Sequence, residues 1–255
     1  MRKNLSSGNA QQLYSPLYSV GVVKDRSGKQ LNNIAKSLQP GYSSLLRTGK
    51  LTTGFFQQPL DKSVNRFIKR AFDISISSAV IVLILSWLIP LFAIAIMIDS
   101  AGPVFFFQKR NKKNGDVFTC IKFRSMIVND EADISPAVKN DERITKVGRF
   151  LRDHYMDELP QFFNVLLGEM SVIGPRPHMI SENIKYDAMV EHYAYRHSIK
   201  PGITGLAQVL GFAGIATEKH QVQARLNMDI FYIRRWSFKM DLIILYRSFL
   251  KIFTR

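Results

Sequence analysis

The sequence predicts a mainly helical α/β body joined to one N-terminal membrane-embedded helix of re-entrant form, with amphipathic helices at the membrane interface. Three observations carry that prediction. Residues 74–98 (ISISSAVIVLILSWLIPLFAIAIMI) hold 25 positions without a charged side chain. Short β-rich runs and an apolar-faced helical segment follow within residues 104–200. The last residues, from Phe238 onward, divide into a polar and an apolar side on a helical wheel.

The membrane segment comes first. At ~1.5 Å per residue its helix reaches about 37 Å, enough for a hydrocarbon core of ~30 Å. Lys62, Arg66, Lys69 and Arg70 precede it, and Lys109, Arg110, Lys112 and Lys113 follow it. Cationic flanks prefer the cytoplasmic face. A single span must place one of these sets outside, whereas a hairpin keeps both inside. Pro90 supplies the expected break, because it lacks an N–H and its ring clashes with the carbonyl of Ser86. The Ser86 hydroxyl is expected to satisfy that carbonyl. A proline-kinked span is the other reading.

The charge supports a membrane-side placement. The chain has 255 residues, a net charge of +15 and one cysteine, Cys120. That length suits one sizeable domain or two small ones. An apolar fraction of 46% excludes a disordered chain, and a lone Cys excludes a disulfide-stapled one. Residues 1–72 carry twelve Lys and Arg against two acids, a net of +10. The excess therefore sits mainly ahead of the folded body. A nucleic-acid binder needs a cationic face on that body, so no nucleic-acid partner is expected. Residues 1–60 are rich in Ser, Gly, Asn and Gln without a sustained period, which predicts a flexible basic arm lacking the apolar core of a signal peptide. The division expected is 1–60 arm, 61–100 membrane helix and 101–255 soluble body.

In the body, residues 104–108 and 117–123 read as a hairpin around Lys112-Lys113-Asn114-Gly115. Lys122 and Arg124 lie on one side of the extended chain that ends it, where they can face a phosphate or simply solvent. Residues 149–168 read as a basic run and then a helix. Asp157 is its expected N-cap, with Pro160 in the first turn, a buried stripe of Leu159, Phe162, Phe163, Leu166 and Leu167, and Gly168 just past the end. A carboxylate held ionised at a helix start can attack an activated phosphorus. A neighbouring Glu158 can hold Mg²⁺. A plain helix cap explains the same residues. Gly174-Pro175-Arg176-Pro177 restricts the backbone on both sides of Arg176, which suits bidentate phosphate binding, or only a rigid turn. Pro201-Gly202-Ile203-Thr204-Gly205 is a weak phosphate-loop hint. No HExxH, Walker A, G-x-S-x-G or G-x-G-x-x-G pattern is present.

At the C-terminus, Asp241, Arg247, Lys251 and Arg255 share one side of the wheel, opposite Phe238, Leu242, Leu245, Tyr246, Phe249, Ile252 and Phe253. Such a helix can lie in the interface or pack on the body.

The ordered blocks together resemble the bacterial sugar transferase family, the monotopic polyprenyl-phosphate phosphoglycosyl transferases. They are KRAFDISIS (69–77), DSAGPVFFFQKR (99–110), FTCIKFRSM (118–126), DERITKVGRFLR (141–152), MDELPQFFNVLLGEMSVIGPRP (156–177), KPGITGLAQVLG (200–211) and DIFYIRRWSFKMDLIIL (229–245). The resemblance implies a nucleophilic Asp157 and a metal-associated Glu158 with Mg²⁺; the residues themselves offer Arg152 and Arg176, with Lys122 and Arg124, as cations for the phosphoryl oxygens. It implies a UDP-sugar donor, a polyprenyl phosphate acceptor, a membrane lipid environment and room for a homo-oligomer. It also implies a re-entrant helix in the bacterial inner membrane and a cytoplasmic catalytic domain. Two departures stand out. Ile89-Pro90 replaces the usual Ser-Pro, and Leu210 and Phe212 replace the usual Asn and Arg of the VNGR-like block. A reading from another class is a non-catalytic basic adaptor at the membrane surface, in which the acidic pair only caps a helix.

Overall fold

The computed structural model describes residues 58–129, 138, 141–214 and 216–253. Most of the expected basic arm, residues 1–57, lies outside them. Helix α1 (Ser63–Val80) runs through a wide π turn (Ile81–Leu85) into α2 (Ser86–Asp99). This is one apolar helix of 37 residues, long enough to cross a membrane. The soluble elements are β1 (Phe105–Asn111), β2 (Val117–Phe123), α3 (Lys146–Asp153), α4 (Gln161–Leu167), β3 (Ser171–Ile173), α5 (Ile180–Met189), β4 (Gly202–Thr204), α6 (Leu206–Val209), α7 (Lys219–Arg235) and α8 (Phe238–Phe253). Helix dominates, as predicted.

The long helix is inside out. In α1 the residues turned to the body are Lys69, Asp73 and Ser77, spaced four apart, while Val64 (68% exposed) and Phe67 (74%) face away. Lys69 Nζ donates to Asp241 Oδ2 at 2.8 Å, and Asp73 Oδ1 accepts from Ser171 Oγ and the Val172 N–H, both at 2.9 Å. In α2 the body-facing stripe becomes apolar: Leu88, Phe92 and Ile96 pack with Phe123 and Leu151. Both ends of the helix thus dock on one body.

The irregularity expected at Pro90 lies five to nine residues earlier, because the helix continues through Pro90 and widens at Ile81–Leu85. The π winding spaces its bonds five residues apart and weakens the usual ladder. Ser86 Oγ donates to Val82 O at 2.7 Å and Trp87 Nε1 to Leu83 O at 2.9 Å, serving that turn. The Ser86 hydroxyl therefore satisfies Val82 rather than its own carbonyl, because a helical serine reaches back four residues.

The hairpin forms as predicted. β1 and β2 pair antiparallel from Phe105↔Phe123 to Asn111↔Val117. The connection is the five-residue loop 112–116, in which Asn114 and Gly115 take left-handed φ of 63° and 82°. β1 runs to Asn111, beyond the predicted run. The loop read as a phosphate-loop hint is instead β4, paired parallel with β3. A Cβ on Gly202 would lie 2.0 Å from the Gly174 nitrogen, so glycine lets this strand press against the Gly174-Pro175-Arg176-Pro177 turn.

Helix α8 turns Met240, Asp241 and Ile244 inward and leaves Leu242 (45%), Tyr246 (63%) and Phe249 (57%) outward. Part of its polar side also reaches the body, since Lys251 Nζ donates to Gln208 O at 2.7 Å.

Candidate active site

Tyr155 takes a left-handed φ of 56° and opens a 3₁₀ turn, Met156–Glu158. Non-glycine residues rarely adopt this region, and it clusters at functional sites. Bonds of i→i+3 type continue from Tyr155 O through Pro160 O, and regular α4 starts at Gln161 with Pro160 as its N-cap. This corrects the expectation that Asp157 caps the helix. The winding ahead of α4 is too tight, and Pro160 has no N–H to offer.

Of the predicted stripe of α4, Leu159, Phe162 and Phe163 pack half-buried against the core, but its far end is rotated: Gln161, Asn164 and Val165 are fully buried while Leu166 (38%) and Leu167 (72%) turn outward. Asn164 anchors that rotation. Its Nδ2 donates to Thr119 O (2.8 Å) and Glu169 Oε2 (2.7 Å), and its Oδ1 accepts from the Ile121 N–H (3.0 Å). One side chain thus pins the helix to both sides of Cys120 in β2. Gly168 ends α4 in the left-handed region, as predicted.

This pinning brings Lys122 to the acidic pair. Lys122 Nζ donates to Glu158 Oε1 at 2.8 Å. Arg176 clamps the same carboxylate, Nη1 to Oε2 at 2.8 Å and Nη2 to Oε1 at 2.5 Å. Asp157 lies beside them, 8% exposed, and among the described residues no group donates a hydrogen bond to its carboxylate. Arg152, on α3, donates through Nε to Ser125 Oγ at 2.7 Å and draws the Asp157 carboxyl downward electrostatically. The structure therefore gathers Asp157, Glu158, Lys122, Arg152 and Arg176.

It does not gather Arg124. That guanidinium turns to the end of α2, to the carbonyls of Ala101, Ser100 and Ile96. Ser86 and Pro90 stay within the long apolar helix.

The two acids are driven apart. Burial raises the Asp157 carboxyl, against Lys122 and with Glu158. Burial also acts on Glu158, but Arg176 and Lys122 overcome it and hold that carboxyl well below the usual range. Adjacent carboxyls separated in this way are suited to different roles. Mg²⁺ takes oxygen donors, often one or two carboxylates completed by substrate phosphates. The Asp157 carboxylate has the open oxygens that use needs, whereas both Glu158 oxygens are held by Lys122 and Arg176, so a cation there would displace one of those contacts. Among the described residues no group of three or more His, Cys, Asp or Glu forms a protein-only cage.

Residues that the sequence did not mark as site residues brace the Arg176 turn. Arg196, buried against Asp229 (2.8 Å), donates through Nη2 to the Arg176 carbonyl at 2.8 Å. Arg110 donates to Pro177 O and, at 2.6 Å, to Gln108 Oε1. Arg225 holds the carbonyls of Phe212 and Gly214, in the loop where the family pattern departs. His178 sits between Arg196 and Arg225, and burial together with those cations pushes its pKa well down. These contacts join distant segments, so no local signal marks them.

The bacterial sugar transferase family model matches residues 64–255. A UDP-glucose:undecaprenyl-phosphate glucose-1-phosphate transferase of Klebsiella pneumoniae is 45% identical over 199 residues, 78% of this chain and 42% of that protein. Its namesake from Xanthomonas campestris pv. campestris is 48% identical over 170 residues, 66% of this chain and 35% of that protein. The chain thus spans less than half the length of these two relatives. The exopolysaccharide production protein PSS of Rhizobium leguminosarum bv. phaseoli is 42% identical over 193 residues, 74% of this chain and 96% of that protein. With a family match over most of its described length, the chain belongs to the bacterial sugar transferase family.

Proposed function

We propose that the chain transfers a sugar 1-phosphate from a UDP-sugar to polyprenyl (undecaprenyl) phosphate and releases UMP. The carrying observation is a buried Asp157 carboxylate that no hydrogen bond from the described residues occupies, set among three cations. An Asp157 oxygen attacks the β-phosphorus of the donor. The bond from that phosphorus to the bridging oxygen breaks, and UMP leaves with the oxygen. A phosphate oxygen of the polyprenyl acceptor then attacks the phosphosugar-aspartyl phosphorus, and the aspartyl bond breaks. Arg176, Lys122 and Arg152 stabilise the charge that develops on the phosphoryl oxygens. Glu158, with Asp157, would hold Mg²⁺, which offsets diphosphate charge when bound. Asp157 caps no helix, so the acidic pair does not have the role that the adaptor reading gives it.

We place the protein in the bacterial inner membrane with its catalytic body on the cytoplasmic face. An apolar outer surface on α1, α2 and α8 supports burial in lipid. A re-entrant path is supported by the docking of Lys69 and Asp73 at one end of the helix, and of Ile96 at the other, on the same body. The test is a panel of UDP-sugars given to membranes with Mg²⁺ and polyprenyl phosphate. One of them should yield UMP and labelled lipid. Lack of UMP release from every donor would overturn the proposal.

A further inference from the structure

The end of the membrane helix is tied to the two elements, β2 and α3, that carry Lys122 and Arg152 to the carboxylate cluster. The first tie is Arg124, 5% exposed. Its Nη2 donates to Ser100 O at 2.7 Å and its Nη1 to Ala101 O, and its own N–H donates to Val104 O at 2.8 Å. Gly102, with φ of 127°, makes room for it, because a Cβ there would lie 2.5 Å from Nη1. Arg124 Nε is buried without a hydrogen-bond partner, so the carbonyls at the helix end alone aim the fork. Two residues earlier is Lys122, on Glu158, and one residue later is Ser125, on Arg152. Between them Phe123 meets Phe92 of the membrane helix edge to face at 5.6 Å. The second tie is Asp99, whose Oδ2 accepts from the Val147 N–H at 2.8 Å, at the start of the helix that carries Arg152.

We propose that Arg124 is a positioning residue for transfer, locking the end of the membrane helix to the strand that aims Lys122, so that the seating of that helix sets the cation geometry around Asp157 and Glu158. This rests on the transfer reading above. Arg124 touches no reacting atom. It fixes the backbone from which Lys122 and Ser125 project. Its planar fork spans several carbonyls at a helix C-terminus, which a lysine serves only as a point charge.

A double-mutant cycle in lipid bilayers tests it. UMP release gives kcat/KM for the full chain, Arg124→Gln, Lys122→Met and the double variant. Each single change should lower kcat/KM by about 10-fold or more. The double variant should fall no further than about 2-fold below the weaker single, because sites acting through one contact are not additive. Arg124→Lys should recover part of the loss, and it replaces Arg124→Gln in the cycle if the latter does not fold. Losses that multiply in an active enzyme, or no recovery by Arg124→Lys, would overturn the positioning role alone. A wild-type chain inactive on every UDP-sugar would overturn the transfer reading and this role with it.

Discussion

Arg176 grips Glu158 with both ends of its guanidinium, at 2.8 and 2.5 Å, and its own carbonyl is held by Arg196. A fork fixed at both its side chain and its backbone keeps the proposed phosphate-binding group in place before substrate arrives. Arg176→Ala strands the Glu158 charge with Lys122 alone. It should cost about 1–3 kcal/mol of stability and lower kcat/KM by about 100-fold or more. Arg176→Lys should keep most of the stability and little of the activity. Urea unfolding and UMP release measure the two losses.

Asp157 and Glu158 respond to pH in opposite senses. Glu158 is held below its ordinary value of 4.5, so the folded state binds fewer protons there. Its stabilisation is present above pH 4.5 and is lost as pH falls further. Asp157 is raised above 3.8, so its ionisation opposes folding as pH rises. Asp157→Asn should therefore raise Tm at neutral pH, by about 2–4 °C for each kcal/mol relieved, while abolishing transfer. A lowered Tm would contradict the burial assigned to this carboxylate.

Asn164 decides the rotation of α4, and its removal should show that. Asn164→Ala leaves the Thr119 carbonyl and the Ile121 N–H unpaired in a buried seam. The expected loss is about 2–4 kcal/mol by denaturant unfolding. A loss under about 0.5 kcal/mol would mean the seam is wet.

Much of the fold was legible because local signals wrote it. The Asn114-Gly115 turn, the hairpin it closes, the Gly168 helix stop and the charge-free helix each rest on a few neighbouring residues. The acidic pair and Arg176 were legible by type and spacing. What failed was decided at long range. Asn164 reaches 45 positions back to Thr119 and so turns Leu167 outward. Arg124 finds the end of a helix that the extended-chain pattern cannot see. Lys69 finds Asp241, 172 positions away, which makes an apolar-looking helix present its polar side inward. The Asp157 cap failed for a local reason, since Tyr155 opens a tighter turn that propensity alone does not announce.

The re-entrant path makes a separate prediction. Tags placed at the N-terminus and after Arg255 should both resist protease in sealed right-side-out vesicles. Pro90→Ala should preserve that protection, because the helix widens at Ile81–Leu85 rather than at Pro90. Cleavage of one tag from outside would show a span.

The most direct measurement traps the covalent step. The protein is given a UDP-sugar labelled in its β-phosphate without acceptor, quenched, and mapped by peptide mass. A phosphosugar adduct on the peptide bearing Asp157 is the predicted result, discharged by polyprenyl phosphate and absent from Asp157→Asn. Labelled lipid formed by Asp157→Asn at the wild-type rate would contradict it.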